Sequence, residues 1–491
     1  MAETTANGPP AAPPDKRGWW DAVSIYLRPR VALMFLFGFS AGLPYQLTSS
    51  TLQAWLTESN VSVEEIGLFG LVAAAYAWKF VWAPAIDGIP IPGLSRLIGH
   101  RRAWLLVTQI CLACAIAGLA FVDPVESKLA LAGVASLVAF FSASQDVVID
   151  AYRIEALKES ELSAGYANYN AAYRTAMLLS FTGAVMLVSW LELAGISRQD
   201  AWSFGYLTMA GMVAVGMLGT LLAPESWEGQ KARFEHSFSE RFRTSVIEPF
   251  TDFLRKDIWW AILLFVILFK LGDAFTSELR TYFFLKLGFE KATYAAIQWP
   301  FGFFTVLIGG YAGGILANRL GIMRALWIGG IAQMATNLIF IWPAIALPDL
   351  TASIGVPDAN GVKQITFAAI DAGGMEGYLA FAALAGSVGV ENLATGIGAA
   401  AFVAYMSRLC GNRSYTATQY ALLSSLASQA RVSLSAPAGF AVAAVGWVWY
   451  YVIATVLAIP GLMLLWWLMQ RDARNALTAG DQKFATPRAL P

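Results

Sequence analysis

The sequence predicts an all-α membrane protein of about twelve transmembrane helices in two six-helix bundles, and three observations carry that prediction. Of the 491 residues, 57% are hydrophobic and 13% are Asp, Glu, Lys or Arg, roughly half the charge of an ordinary soluble domain. The mean hydropathy is +0.56. The apolar residues are gathered into runs of about 20, the length needed to cross ~30 Å of hydrocarbon. A water-soluble fold cannot bury that much apolar surface, because core size is limited by surface-to-volume scaling. The lipid bilayer is therefore the solvent for much of the chain.

Residues 1–30 are polar and rich in Pro and Ala, with no apolar core followed by a small-residue cleavage site, and they read as a tail and not as a signal peptide. Six apolar runs follow, near 31–56, 65–86, 103–122, 128–150, 163–190 and 203–223, and together they make a first bundle over 31–223. The polar stretch 224–257 separates them from a second bundle over 258–470. Its runs lie near 258–285, 293–317, 325–345, 377–407, 415–443 and 446–469, and a tail covers 471–491. In the middle stretch Phe234, Phe238, Phe242, Val246, Phe250 and Phe253 recur mostly every four residues among Arg and Glu. That spacing predicts an amphipathic helix lying on the membrane surface and joining the halves. Segment 346–376, rich in Pro, Gly and Asp, reads as an excursion outside the membrane between spans 9 and 10.

Alternating the connections between the two sides puts 23 of the 33 basic residues on the side of the termini. The opposite connections hold only Lys128, Arg198, Lys286, Lys291 and Lys363. The positive-inside rule then places both termini in the cytoplasm. With 33 basic and 33 acidic residues the chain lacks the basic footprint of a nucleic-acid binder. Cys111 and Cys114 have CxxC spacing within an apolar run, which reads as packing. His100 and His236 are the only histidines, so neither a metal site nor a metal cofactor is expected. No HExxH occurs, and an enzyme is not expected.

A faint internal repeat occupies the connection between the second and third span of each half. The first copy is Ala83-Pro84-Ala85-Ile86-Asp87 with Arg101-Arg102 before span 3; the second is Gly314-Ile315-Leu316-Ala317-Asn318-Arg319 with Arg324 before span 9. The second copy resembles the loop motif of the major facilitator superfamily, in which a Gly, an Asp-Arg pair and further basic residues bridge helix ends. Asn318 stands where the Asp would be, and Pro90, Pro92 and Gly93 stretch the first copy. The resemblance implies gating roles for Asp87, Arg101, Arg102 and Arg319.

A charge at the bilayer centre costs about 2.5 to 3.5 kcal/mol on insertion scales, so each in-span charge is a candidate functional residue. Span 4 carries Gln145, Asp146, Asp150 and Arg153; span 7 carries Lys270, Asp273, Glu278 and Arg280; span 10 carries Glu391 and Asn392; span 1 carries Gln46 and Gln53. In the major facilitator fold spans 1, 4, 7 and 10 line the central cavity. Lys79, Arg174 and Arg431 lie on other spans. Asp146, Asp273, Glu391 and Asp150 are the candidate proton carriers, since a carboxyl group in a partly dehydrated cavity holds a proton more readily than one in water. Asp150 and Arg153, near the end of span 4, are equally readable as a solvated helix terminus.

Strings within the spans resemble the AmpG muropeptide permease family. They include Thr51-Leu52-Gln53-Ala54-Trp55, the Tyr76, Lys79 and Trp82 pattern, and Ser142-Ala143-Ser144-Gln145-Asp146-Val147-Val148-Ile149-Asp150. Lys270-Leu271-Gly272-Asp273, Glu391-Asn392-Leu393 and Thr416-Ala417-Thr418-Gln419-Tyr420 extend the match. The resemblance covers spans 1 to 12. It implies a monomeric symporter of a bacterial inner membrane that imports N-acetylglucosaminyl-anhydromuramoyl peptides on the proton gradient. Such import feeds peptidoglycan recycling and, in some bacteria, β-lactamase induction and β-lactam resistance. Amides and cations suit the hydroxyls and carboxylates of that substrate; Gln53, Gln145, Asn392, Lys79, Arg174 and Lys270 would supply them, with Tyr76, Trp55 and Trp299 stacking on sugar rings. The span 4 pattern also resembles the acetyl-coenzyme A transporters, and a non-transporting membrane sensor is the other alternative.

Overall fold

The computed structural model describes residues 23–62, 65, 69–224, 247–255, 258–358, 361–410, 415–435 and 437–485. Among them, ten helices are long and apolar enough to cross a membrane. Two further segments pack into the bundle at the second and eleventh positions. Span 2 is a chain of short helices (Phe69–Ala73, Ala74–Trp78, Lys79–Val81 and Ala83–Gly88), and span 11, Thr416–Ser435, is too polar to qualify by hydropathy.

The remaining spans follow the predicted order. Span 1 comprises Pro29–Leu47 and Ser50–Glu58. It breaks after Pro44, where Thr48 and Ser49 hydroxyls bond back to the carbonyls of Pro44 and Tyr45 and compete with the helical ladder. Span 3 is His100–Leu119 and span 4 is Lys128–Ala156. Span 5 runs from Leu162–Leu178 through a π turn at Leu179–Gly183 to Ala184–Leu193. Span 6 is Arg198–Met212 with Ala214–Leu222. Span 7 is cut at Lys270 and Leu279 into Trp259–Phe269, Leu271–Glu278 and Arg280–Lys286. Spans 8, 9 and 10 are Lys291–Leu320, Ile322–Ile339 with Ile341–Ile354, and Gly374–Leu409. Span 12 lies in Ala438–Ala485, broken at Gly446, where φ is 75°.

Three boundaries differ from expectation. Span 9 continues past Pro348 to Ile354, because Leu347 and Leu350 are buried and keep the segment helical despite one missing hydrogen-bond donor. The excursion shrinks to an antiparallel hairpin, Val356–Pro357 against Lys363–Gln364, and the short helix Phe367–Ala372. The last helix extends to Ala485, well into the stretch expected to be a tail. Of the expected amphipathic linker, Phe234, Phe238, Phe242 and Val246 lie outside the described residues; its described end is the helix Glu248–Leu254.

Two glycine seams set the closest helix approaches. A Cβ on Gly38 or Gly42 of span 1 would lie 2.1 or 2.2 Å from the carbonyl oxygen of Tyr169 or Tyr173 of span 5. On span 8, a Cβ on Gly309 or Gly313 would lie 2.1 or 2.6 Å from the carbonyl oxygen of Leu393 or Ile397 of span 10. Lipid gives no hydrophobic drive to helix pairing, so backbone contact through small residues does the packing.

The apolar core has a forked plan. One cluster combines residues of both halves, including Phe37, Val148, Phe265 and Tyr405, at the end of the bundle that carries the 2/3, 4/5, 8/9 and 10/11 connections. Toward the other end it gives way to two clusters, one around Trp55, Trp202 and Tyr206, the other around Phe283, Phe340 and Tyr451. Each belongs to a single half. The halves are joined at the first end and separate toward the second.

Candidate functional site

Where the core forks, a cavity of about 220 Å³ opens between the halves. The first half contributes Gln46 and, from span 5 around its π turn, Arg174, Met177, Phe181 and Thr182. A π turn inserts one extra residue and locally widens a helix. The second half contributes Arg280, Gln298, Trp299, Phe303 and Asn392. Trp299 and Phe303 stack with ring centroids 5.5 Å apart and planes at 11°. The wall thus combines two guanidiniums, three side-chain amides and an aromatic face, groups that suit a solute with hydroxyls, an anionic group and an apolar surface.

Behind the cavity, the in-span charges form a cluster in each half. On the second half, Arg280 donates to Glu391, which also accepts from the Asn392 amide at 3.1 Å. Lys270 Nζ stands 3.5 Å from Asp273, whose other oxygen accepts from Thr395 at 3.2 Å. A side pocket of about 10 Å³, the size of one water, separates Asp273 from Gln333 and Asn337. On the first half, Tyr169 donates to Asp146, and Lys79 stands 3.8 Å from Asp150. Arg153 is 3.0 Å from Asp150 and lies over the rings of Tyr166, Tyr169 and Tyr420. Arg153 is buried, so this end of span 4 is a packed ion cluster and not a solvated terminus.

Several expected site residues lie elsewhere. Trp55 is 2% exposed and packed against Trp202 and Tyr206, with no ring face left for a sugar. Gln145 is fully buried against span 1, where its oxygen accepts from Ser40 at 3.1 Å. It neighbours Asp146, but successive helical residues point about 100° apart. Gln53 is exposed on Ser50–Glu58 and outside the cavity wall. Tyr76 donates to Ser142 at 3.0 Å and ties span 2 to span 4; with Lys79 it belongs to the first-half cluster and not to the cavity wall. Lys270 likewise sits behind the wall, beside Phe269 and Phe402. Arg174, Asn392 and Trp299 are the three expected substrate residues that line the cavity. Arg280, Gln46 and Gln298 were missing from the expected substrate set. For Arg280 and Gln46 a signal existed, a polar group inside a cavity-lining span; for Gln298, on span 8, none did. Cys114 is exposed and Cys111 half-buried on span 3, both free thiols on its outer face and not in the core.

The floor beneath the cavity is a buried latch. Arg101 Nη2 reaches Asp87 at 2.7 Å and Glu155 at 2.6 Å. Asp87 in turn accepts from the backbone N–H and hydroxyl of Thr418, both at 2.7 Å, and from the N–H of Ala417 at 3.3 Å. Those last bonds cross between halves. Asn318 donates to the Ser160 carbonyl at 2.9 Å, and Arg408 approaches Glu159 at 3.7 Å, at the same end. Arg102 instead donates to the carbonyls of Thr220 and Leu221 and holds span 3 to span 6 within one half. Arg319 follows Asn318 at the end of span 8.

Residues 34–411 match the model of the Major Facilitator Superfamily. The chain is 36% identical to the anhydromuropeptide permease of Escherichia coli K12, over 90% of this chain and 80% of that protein. It is 31% identical to a putative transporter AmpG 4 of Rickettsia conorii, over 89% of this chain and 96% of the relative. Among solved structures, FucP, a major facilitator transporter, superposes with a TM-score of 0.57 at 13% identity, covering 90% of this chain and 99% of that one. The proton:xylose symporter XylE gives 0.56 at 14% identity, covering 91% and 95%.

Proposed function

The chain belongs to the Major Facilitator Superfamily and, within it, to the AmpG permease family, and from that premise we propose that it imports anhydromuropeptides, driven by the proton gradient, for peptidoglycan recycling. It is a multi-pass membrane transporter and not an enzyme. In this reading the termini face the cytoplasm, as the 23 basic residues on their side suggest. The joined end with its latch is then cytoplasmic, and the cavity opens to the periplasm. One chain encloses the whole cavity, which fits a monomer as the working unit.

The observation that carries the proposal is the cavity wall itself. Gln46, Gln298 and Asn392 offer both donors and acceptors to sugar hydroxyls and peptide amides, Arg174 and Arg280 offer forked donors to carboxylates, and the Trp299–Phe303 stack offers a face to a pyranose ring. In this reading the carboxylates behind it carry the coupled protons. Glu391 and Asp273 are each paired with a cation, and Asp146 and Asp150 share Lys79, Arg153 and Tyr169. A carboxylate whose cation is drawn away by substrate or by closure takes up a proton more readily. Alternating access then rocks the halves about the fixed site, opening the latch as the periplasmic side closes.

The test is uptake of labelled anhydromuropeptide into proteoliposomes of fixed orientation under an inward proton gradient, with Asp146→Asn, Asp273→Asn and Glu391→Gln beside wild type. The expected outcome is gradient-stimulated uptake by wild type and its loss, by tenfold or more, in at least one variant. Wild-type protein that is well folded and takes up none would refute the substrate assignment, and acetyl-coenzyme A would be assayed next.

A further inference from the structure

We infer that Arg174 and Arg280 form a two-sided anion subsite, and that a substrate carboxylate bridging them draws the halves together at the open end. The inference rests on the transport reading above and names the group on the substrate that the closing movement needs.

The two guanidiniums belong to opposite halves, Arg174 on span 5 and Arg280 on span 7, and both line the central cavity. They are close enough to interact electrostatically. Their surroundings differ. Arg280 is compensated by Glu391. Arg174 has no carboxylate within 4 Å among the described residues, and its Nε, buried from solvent, makes no hydrogen bond. An uncompensated cation inside a membrane span is costly and is normally paired. Here it is left facing a second cation across a gap.

This repulsion lies where the core has forked into two single-half clusters, so little apolar contact opposes it. The bonds between halves gather at the opposite, latched end. In the empty protein the charges therefore favour the open arrangement. An anion placed between them reverses the sign of the interaction, because each guanidinium then attracts a shared carboxylate and the distance across the gap falls. Arg suits this role because its planar fork can hold one oxygen pair in a fixed direction. The amides of Gln298 and Asn392 beside it can satisfy remaining lone pairs. A neutral sugar would meet the same amides and the same aromatic face, yet would leave the two cations repelling.

The experiment uses the full-length protein in nanodiscs. Binding of an N-acetylglucosaminyl-anhydromuramoyl tripeptide with free carboxylates is compared by calorimetry with its fully amidated, neutral counterpart, on wild type, Arg174→Gln and Arg174→Lys. The charged form is expected to bind wild type about 10- to 100-fold more tightly, the scale of charge-assisted hydrogen bonds. That ratio should fall to near one in Arg174→Gln and recover in part in Arg174→Lys, which keeps the charge and loses the fork. Equal affinities for the two forms on wild type would overturn the subsite while leaving the muropeptide assignment intact. If neither form binds, the muropeptide assignment falls. The subsite is then decided by citrate against chloride at matched ionic strength: an Arg174-dependent rise in the unfolding midpoint sustains it, and no such rise overturns it. Closure is read separately from spin labels at Glu126, between spans 3 and 4, and Lys286, the last residue of span 7, in opposite halves at the open end. The label distance should shorten with the charged ligand on wild type and not on Arg174→Gln; an unchanged distance in wild type with ligand bound overturns the bridging.

Discussion

A single ion pair shows how much a buried partner matters. Glu391 and Arg280 are both largely withdrawn from water, and each is the other's counter-charge. Removing one leaves the other uncompensated, which costs about 3 to 5 kcal/mol in buried pairs, whereas replacing both by neutral groups costs far less. Glu391→Gln should therefore lower the unfolding midpoint of the purified protein markedly, and Glu391→Gln with Arg280→Met should recover much of the loss. A double-mutant cycle on thermal unfolding checks this; additive single effects would mean that the two residues are not coupled. At this scale the sequence was informative about charge and weak about direction. Asp146, Asp273 and Glu391 stood out because a charge inside a span is expensive, and the structure puts each in a polar cluster beside the cavity. Gln145 and Trp55 were drawn in by the strings that contain them, and both turned out to face the interior of the first half. Neither hydropathy nor neighbourhood in sequence says which way one residue on a helix points. Nor could spacing pair Arg280 with Glu391, 111 residues apart.

Among the elements, the helices themselves were legible from apolar run length, and their breaks were not. Spans 2 and 7 fall into short pieces, and span 5 carries a π turn, in stretches that read as uninterrupted apolar runs. What holds neighbouring helices at contact distance is visible only once they are paired. Gly38 with Gly42 and Gly309 with Gly313 have the four-residue spacing of helix seams, but Gly310 with Gly314 shares that spacing, and Gly310 packs against nothing. Gly309 and Gly310 make the distinction testable. A methyl at Gly309 would sit 2.1 Å from the Leu393 carbonyl oxygen, whereas a methyl at Gly310 meets nothing within 4 Å. Gly309→Ala should lose more than about 1 kcal/mol of stability, on the scale of overpacking. Gly310→Ala should be neutral or slightly stabilising, since Ala is the better helix former. Thermal unfolding followed by size-exclusion chromatography separates the two, and similar midpoints would show that spans 8 and 10 can move apart freely.

For the whole molecule, the forked core and the latch describe one arrangement, with the halves joined at one end and a cavity between them at the other. Two six-helix halves were readable from hydropathy and from the repeated loop. The direction of opening was not, because it depends on contacts such as Asp87 with Thr418 that join residues far apart in the chain. Asp87→Asn removes the charge that accepts from Ala417 and Thr418, weakening bonds worth roughly 1.5 to 3 kcal/mol. The closed-to-open ratio at that end should fall about tenfold or more. Spin labels at Lys158, between spans 4 and 5, and Arg324, in the first turn of span 9, would report a longer and broader distance distribution in the variant. An unchanged distribution would show that the apolar core alone keeps that end shut.

The π turn at Leu179–Gly183 is, in evolutionary terms, what a one-residue insertion into a helix leaves behind. Everything on span 5 after it is out of phase with everything before it by about 100° relative to a regular helix. Arg174 lies before the turn, Phe181 and Thr182 lie within it, and all three line the same cavity, as their i, i+7, i+8 spacing allows. An alignment that treats span 5 as a continuous helix will therefore pair the right residues on one side of the turn and the wrong ones on the other. A homologue that lacks the extra residue turns a different face of span 5 toward its neighbours beyond Gly183.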